Sequence, residues 1–135
     1  DLLVHGGCDQ DGALLGDTWL LSLDRAPVWR RLDCESSPSP RLGISLSPSK
    51  GSCALMFGGL VRGSDGKCSY STETFAVDVA ARRPAWHRVP CPKAEALTVN
   101  PDSRVHLVGG TLLGGELLVF GGFGRTEDVP APSQP

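Results

Sequence analysis

Short apolar runs along the chain end three times in a glycine pair. They are Leu2-Leu3-Val4-His5-Gly6-Gly7, Ala54-Leu55-Met56-Phe57-Gly58-Gly59 and Leu117-Leu118-Val119-Phe120-Gly121-Gly122. The second and third copies align without gaps: Arg41 falls on Arg104, Gly51 on Gly114 and Leu55 on Leu118. The first and second copies continue to match downstream. Thr18-Trp19-Leu20-Leu21-Ser22-Leu23-Asp24 aligns with Thr72-Glu73-Thr74-Phe75-Ala76-Val77-Asp78, and Leu21 with Leu23 and Phe75 with Val77 alternate as strand residues do. Trp29 and Trp86 follow, each in a short run that reads as one more strand. No segment carries an apolar stripe at helical period.

Merging the copies gives a unit of four short strands. The first opens after Arg, the second ends in Gly-Gly, the third ends in Asp, and the fourth carries Trp. The offsets between copies grow along the unit, which places the insertions in loops.

These residues resemble the kelch repeat: Gly6-Gly7, Gly58-Gly59 and Gly121-Gly122, the pairs Asp24 with Trp29 and Asp78 with Trp86, and the Pro40-Arg41 opening. The resemblance covers residues 1 to about 124. It implies an all-β chain, a partial kelch-type β-propeller of just over two blades of four-stranded antiparallel sheet. The blade portions fall at about 1–34, 41–91 and 104–124, with about nine strands in total. His5 departs from the Phe seen at 57 and 120, and no third Trp follows Gly122. Residues 125–135 hold three prolines and no apolar period, and read as a disordered tail.

Repeat units bury their apolar faces against neighbours. Two readings stay open: an excerpt of a longer propeller, which is the favoured one, or a short natural chain. The open sheet edges are expected to recruit the remaining blades of a parent chain or to self-associate.

Composition narrows the function classes. The formal net charge is −2, from 13 basic and 15 acidic residues without a basic block, so neither nucleic acid nor a membrane surface is an expected partner. The chain has 17 Gly and 11 Pro, ordinary for short strands joined by turns. Five cysteines, at 8, 34, 53, 68 and 91, show no C-x-x-C spacing and read as reduced thiols of a cytoplasmic protein. A Cys53–Cys68 disulfide is the alternative for a secreted chain.

Candidate chemistry is sparse. The glycine-rich stretch 109–115 lacks the Lys-Ser/Thr of a phosphate loop, and the glycine pairs read as strand ends that need positive φ or close packing. His5, His87 and His106 stand singly, without a carboxylate or thiol at ligand spacing, so no metal and no cofactor is expected. Nothing matches a Gly-x-Ser-x-Gly elbow. The chain reads as a non-enzyme. Trp29 and Trp86 read as repeated core packing, and Trp19, matched to Glu73, as the least explained aromatic. Ser37-Pro38, Ser39-Pro40 and Ser47-Pro48 have the form of proline-directed phosphorylation sites.

The resemblance implies a protein-interaction scaffold, such as a substrate adaptor or a targeting module, binding a protein or peptide. The alternative is a non-catalytic propeller segment of a larger enzyme. Carried over by position, one face is built by the loops 8–16 and 60–71 and by 33–41 and 91–104. That nominates Arg41 and Arg104 at the rim, with Arg62, Asp65, Lys67 and Tyr70 on the longest loop.

Overall fold

The computed structural model describes residues 1–24, 26–90, 106, 108–111 and 116–124. Every regular element among them is a strand, and all pairing is antiparallel. The first sheet runs β1 (Leu2–Cys8), β2 (Leu14–Ser22) and β3 (Val28–Arg31). After β4 (Arg41–Leu42), the second sheet contains β5 (Ser45–Pro48), β6 (Cys53–Phe57), β9 (Thr74–Asp78) and β10 (His87–Val89), in the order β10-β9-β6-β5. The third pairs β11 (Val108–Thr111) with β12 (Leu117–Phe120).

These are the nine strands expected from the repeats. Three more form a separate small sheet, β4-β7-β8, with β7 at Leu60–Arg62 and β8 at Cys68–Tyr70. The sequence reads β4 and β5 as one strand after Arg41. Gly43 at φ +68° breaks it, so that Arg41–Leu42 joins the rim sheet and Ser45–Pro48 the blade. Pro48 lacks an N–H for a ladder and sits accordingly on β5, an edge strand.

The sheets are not closed into a ring. They stack face on face. His5 and Thr18, which lie opposite each other in the first sheet, face the second sheet through Trp86. The core on that side is Ala54, Met56, Val77 and Trp86, with Leu3, Ile44, Leu46 and Phe75 packed against it. These alternate positions of β6 and β9 place one apolar face toward the first sheet. On the other face, Ser45 and Ser47 meet Gly109 of β11 so closely that a Cβ at Gly109 would collide with the Ser45 hydroxyl.

The Gly-Gly pairs all have positive φ, between 70° and 111°. Two of them also admit no side chain. A Cβ on Gly6 would strike the Arg41 carbonyl oxygen, and one on Gly59 would lie 2.8 Å from the Ile44 side chain. The pairs thus let the sheet strands turn into the rim while neighbouring backbone passes close by.

Strand register revises the repeat alignment. Thr18 lies opposite His5 as Thr74 lies opposite Phe57, so Trp19 corresponds to Phe75 and Ser22 to Asp78. Asp24 therefore lies two residues beyond the position of Asp78, in an exposed bend, and Trp19 has an aromatic counterpart after all. The physical reason lies in the intervening hairpin. Gly12 and Gly66 occupy the same tip position, each at φ +78°. The N–H of Gly12 donates to the Asp9 carbonyl, as that of Gly66 does to the Gly63 carbonyl. Both are three-residue hairpin loops ending in a left-handed glycine. The second hairpin has two more residues on each arm, which preserves its pairing but moves the later strands four residues further along, two more than the match of Asp24 with Asp78 allows.

Candidate interaction rim

The elongated hairpin β7–β8 is the main projection of the rim sheet. Leu60 pairs with Tyr70, Val61 with Ser69 and Arg62 with Cys68. Its tip is closed by the Gly63 N–H donating to the Lys67 carbonyl at 2.8 Å, and by the Lys67 N–H donating to Asp65 Oδ1 at 3.0 Å. Arg62, Asp65 and Lys67 are exposed and Tyr70 is half-buried. The structure brings these four together on one hairpin. Neither cation enters an ion pair among the described residues.

Arg41 lies elsewhere in character. Its side chain has 0% exposure. Nε donates to the Ser39 carbonyl at 3.0 Å, Nη1 to the Gly58 carbonyl at 3.1 Å, and Nη2 to both Ser39 Oγ and Glu73 Oε2 at 3.0 Å. The guanidinium carbon also stands 5.1 Å from the centre of the Phe75 ring. A rim cation with four N–H groups already committed has no surface left for a partner. Arg41 instead pins the 33–41 loop, the Gly-Gly turn and the start of β9 together. Arg104 lies outside the described residues, as does Cys91.

Glu73 was not singled out by the sequence. It accepts from Arg41 on one oxygen and lies 3.6 Å from Arg88 Nε on the other. Its only sequence signal was a carboxylate at a position matched, wrongly, to an aromatic.

The tryptophans separate. Trp86 is 3% exposed and its Nε1–H donates to Thr18 Oγ1 at 3.1 Å. Trp29 lies opposite Leu21 in β2, the counterpart of Val77, and so holds the matching place in its sheet. Yet it is 50% exposed. Trp86 is covered by His5 and Thr18 of the preceding sheet, and no described residue plays that part for Trp29. Trp19 is half-buried and donates to Asp17 Oδ2 at 2.6 Å.

His5 Nδ1 lies 2.9 Å from Thr18 Oγ1, and its ring stands 5.1 Å from the Trp86 ring at a 57° tilt. Nε2 is buried without a partner among the described residues. Burial, with the Arg41 charge second and against the pull of Asp17, lowers its pKa to about 4. The histidine is thus neutral at physiological pH. No group of three or more potential metal ligands exists among the described residues. Cys8, Cys34, Cys53 and Cys68 are free thiols, so the Cys53–Cys68 pairing is not formed.

At the opposite end of the second sheet, a groove of about 570 Å³ opens between the first two sheets. Leu2, Leu3, Leu20, Leu46 and Ala54 wall it, with Arg30 at hand. The two ends differ in chemistry: an aliphatic groove here, a polar hairpin there.

No family profile matches the chain. Curated relatives do. The chain is 35% identical to Adagio protein 3 of Arabidopsis thaliana over 98% of its own length, and 37% identical to Adagio-like protein 1 of Oryza sativa subsp. japonica over 90%. It is 26% identical to an F-box/kelch-repeat protein of Arabidopsis thaliana, also over 90%. The chain spans about a fifth of the length of the Adagio relatives and a quarter of the F-box/kelch-repeat protein. The relationship is of kelch type.

Proposed function

We propose that this chain is a protein-interaction module of kelch type, acting in the cytoplasm without catalysis of its own, and that it presents the β7–β8 hairpin to a protein partner. The observation that carries this reading is the hairpin itself. It is longer by two residues per arm than its counterpart in the first sheet, and it holds Arg62, Asp65, Lys67 and Tyr70 on a short paired scaffold. A hairpin fixes such side chains at small entropic cost, and Tyr and Arg are over-represented among residues that dominate binding energy. Similarity to an F-box/kelch-repeat protein supports an adaptor role.

The test begins with a partner found by crosslinking in cells that express the protein. Calorimetry then compares Arg62→Ala, Lys67→Ala and Tyr70→Ala with Lys50→Ala in the turn of the far hairpin, β5–β6. Loss of about tenfold or more in affinity from the first group, with Lys50→Ala unchanged, supports the assignment. Loss confined to the far hairpin overturns it.

A further inference from the structure

The sequence offers three Ser-Pro dipeptides, and the fold treats them differently. Ser47 lies in β5 with 1% exposure, behind Gly109, where no enzyme reaches it. Ser37 and Ser39 both lie exposed in the 33–40 loop, outside any strand. Among the described residues, only Ser39 has its hydroxyl on a cation: Oγ accepts from Arg41 Nη2 at 3.0 Å, and the Ser39 carbonyl accepts from Nε of the same guanidinium. A serine followed by proline, exposed in a loop and bonded to an arginine, joins the two things a regulatory phosphoserine needs. One is access for a proline-directed kinase. The other is a planar donor to receive the phosphate.

We propose that Ser39 is a phosphorylation site and that Arg41 receives the phosphate. The kinase transfers the γ-phosphoryl group of ATP. The Ser39 Oγ–P bond forms, the bond from the γ-phosphorus to the β-γ bridging oxygen breaks, ADP leaves, and the hydroxyl proton passes to solvent. At present Nη2 divides itself between a neutral hydroxyl and the Glu73 carboxylate. The modified residue brings about −1.5 to −2 charge and three acceptor oxygens to the same donors. It competes with Glu73 for Arg41, while Glu73 keeps Arg88 as its second cation. The modification thus trades one anion for another at a buried guanidinium, and draws the loop tighter onto the start of β4.

The full chain, incubated with a proline-directed serine/threonine kinase and ATP, is mapped by peptide mass spectrometry. Phosphate on Ser39 and none on Ser47 is expected, with incorporation kept in Ser37→Ala and lost in Ser39→Ala. Phosphorus NMR then follows the second ionisation of the phosphate. In the folded chain its pKa falls below the value near 6 of free phosphoserine, because the guanidinium favours the dianion. In Glu73→Gln, which removes the competing charge, it falls further. The same molecule unfolded in urea serves as reference, so the reading does not depend on an Arg41 variant folding. Incorporation at Ser37 alone, no incorporation, or equal pKa values in the folded and unfolded chain each overturn the proposal.

Discussion

Arg41 Nη2 lies 3.0 Å from Glu73 Oε2, although the Arg41 side chain has no exposed surface and Glu73 is 31% exposed. An arginine that by its place in the repeat belongs to a binding rim is therefore a structural pin. Its guanidinium ties two backbone carbonyls, a hydroxyl and a carboxylate from three segments of chain. A planar fork with several fixed donors suits such a site better than an ammonium does.

Truncating that pin is expected to be costly. Arg41→Ala strands the Gly58 and Ser39 carbonyls and leaves a cavity, for a loss of about 3 kcal/mol. Arg41→Lys is expected to recover only part of it, because one ammonium cannot reach all four acceptors. Glu73→Gln costs less, about 1 kcal/mol, since Glu73 is partly solvated. Urea unfolding midpoints of the three variants check this order.

Trp86→Ala is expected to cost about 3 to 5 kcal/mol and Trp29→Ala under about 1 kcal/mol, because only the first empties a packed site. Trp86→Phe keeps most of the volume and loses the bond to Thr18, and should fall between them. Thermal melts of the same chain give the ranking, and equal shifts for both alanine variants would refute it.

His5 makes stability depend on pH. Its folded pKa of about 4 lies below the unfolded value of 6.5. Above pH 6.5 both states carry a neutral ring and the term is flat. As pH falls from 6.5 toward 4, the unfolded chain takes up a proton that the folded chain refuses, so stability drops by at most about 1.4 kcal/mol per pH unit. Asp78, held low by Ser52 and the Ala80 N–H, adds loss of the same sign at lower pH. His5→Phe, which places at this position the residue found at 57 and 120, should remove the upper part of the slope. Denaturant titrations between pH 7 and 4 on both proteins measure it.

Gly6→Ala and Gly12→Ala separate backbone strain from crowding. Both glycines have φ near +70° to +80°, and nothing lies within 4 Å of a Cβ on Gly12. Gly12→Ala should therefore cost about 1 kcal/mol. Gly6→Ala should cost at least twice as much, because the added carbon meets the Arg41 carbonyl oxygen. Comparable unfolding midpoints for the two variants would show that close approach is not what keeps Gly6.

Much of the architecture is legible in local pattern. Alternating apolar residues, glycine pairs and turn residues act within a few positions of one another, and they determine by themselves the nine blade strands, their antiparallel order and the points where each sheet turns to the rim. Gly-Gly reads correctly because positive φ is a property of the backbone at that residue. What the sequence cannot decide is which equivalent residues meet an equivalent environment. Trp29 and Trp86 share a register position, and only stacking of one sheet on another buries the second. The rim sheet, the two-residue shift that aligned Asp24 with Asp78, and the burial of Arg41 have the same origin. Each depends on contacts between segments far apart in the chain: Arg41 with Glu73, Gly6 with the Arg41 carbonyl, Trp86 with Thr18. An arginine beside a loop reads as a solvent-facing cation until folding brings a carboxylate and two carbonyls around it, and burial then turns a binding candidate into part of the frame.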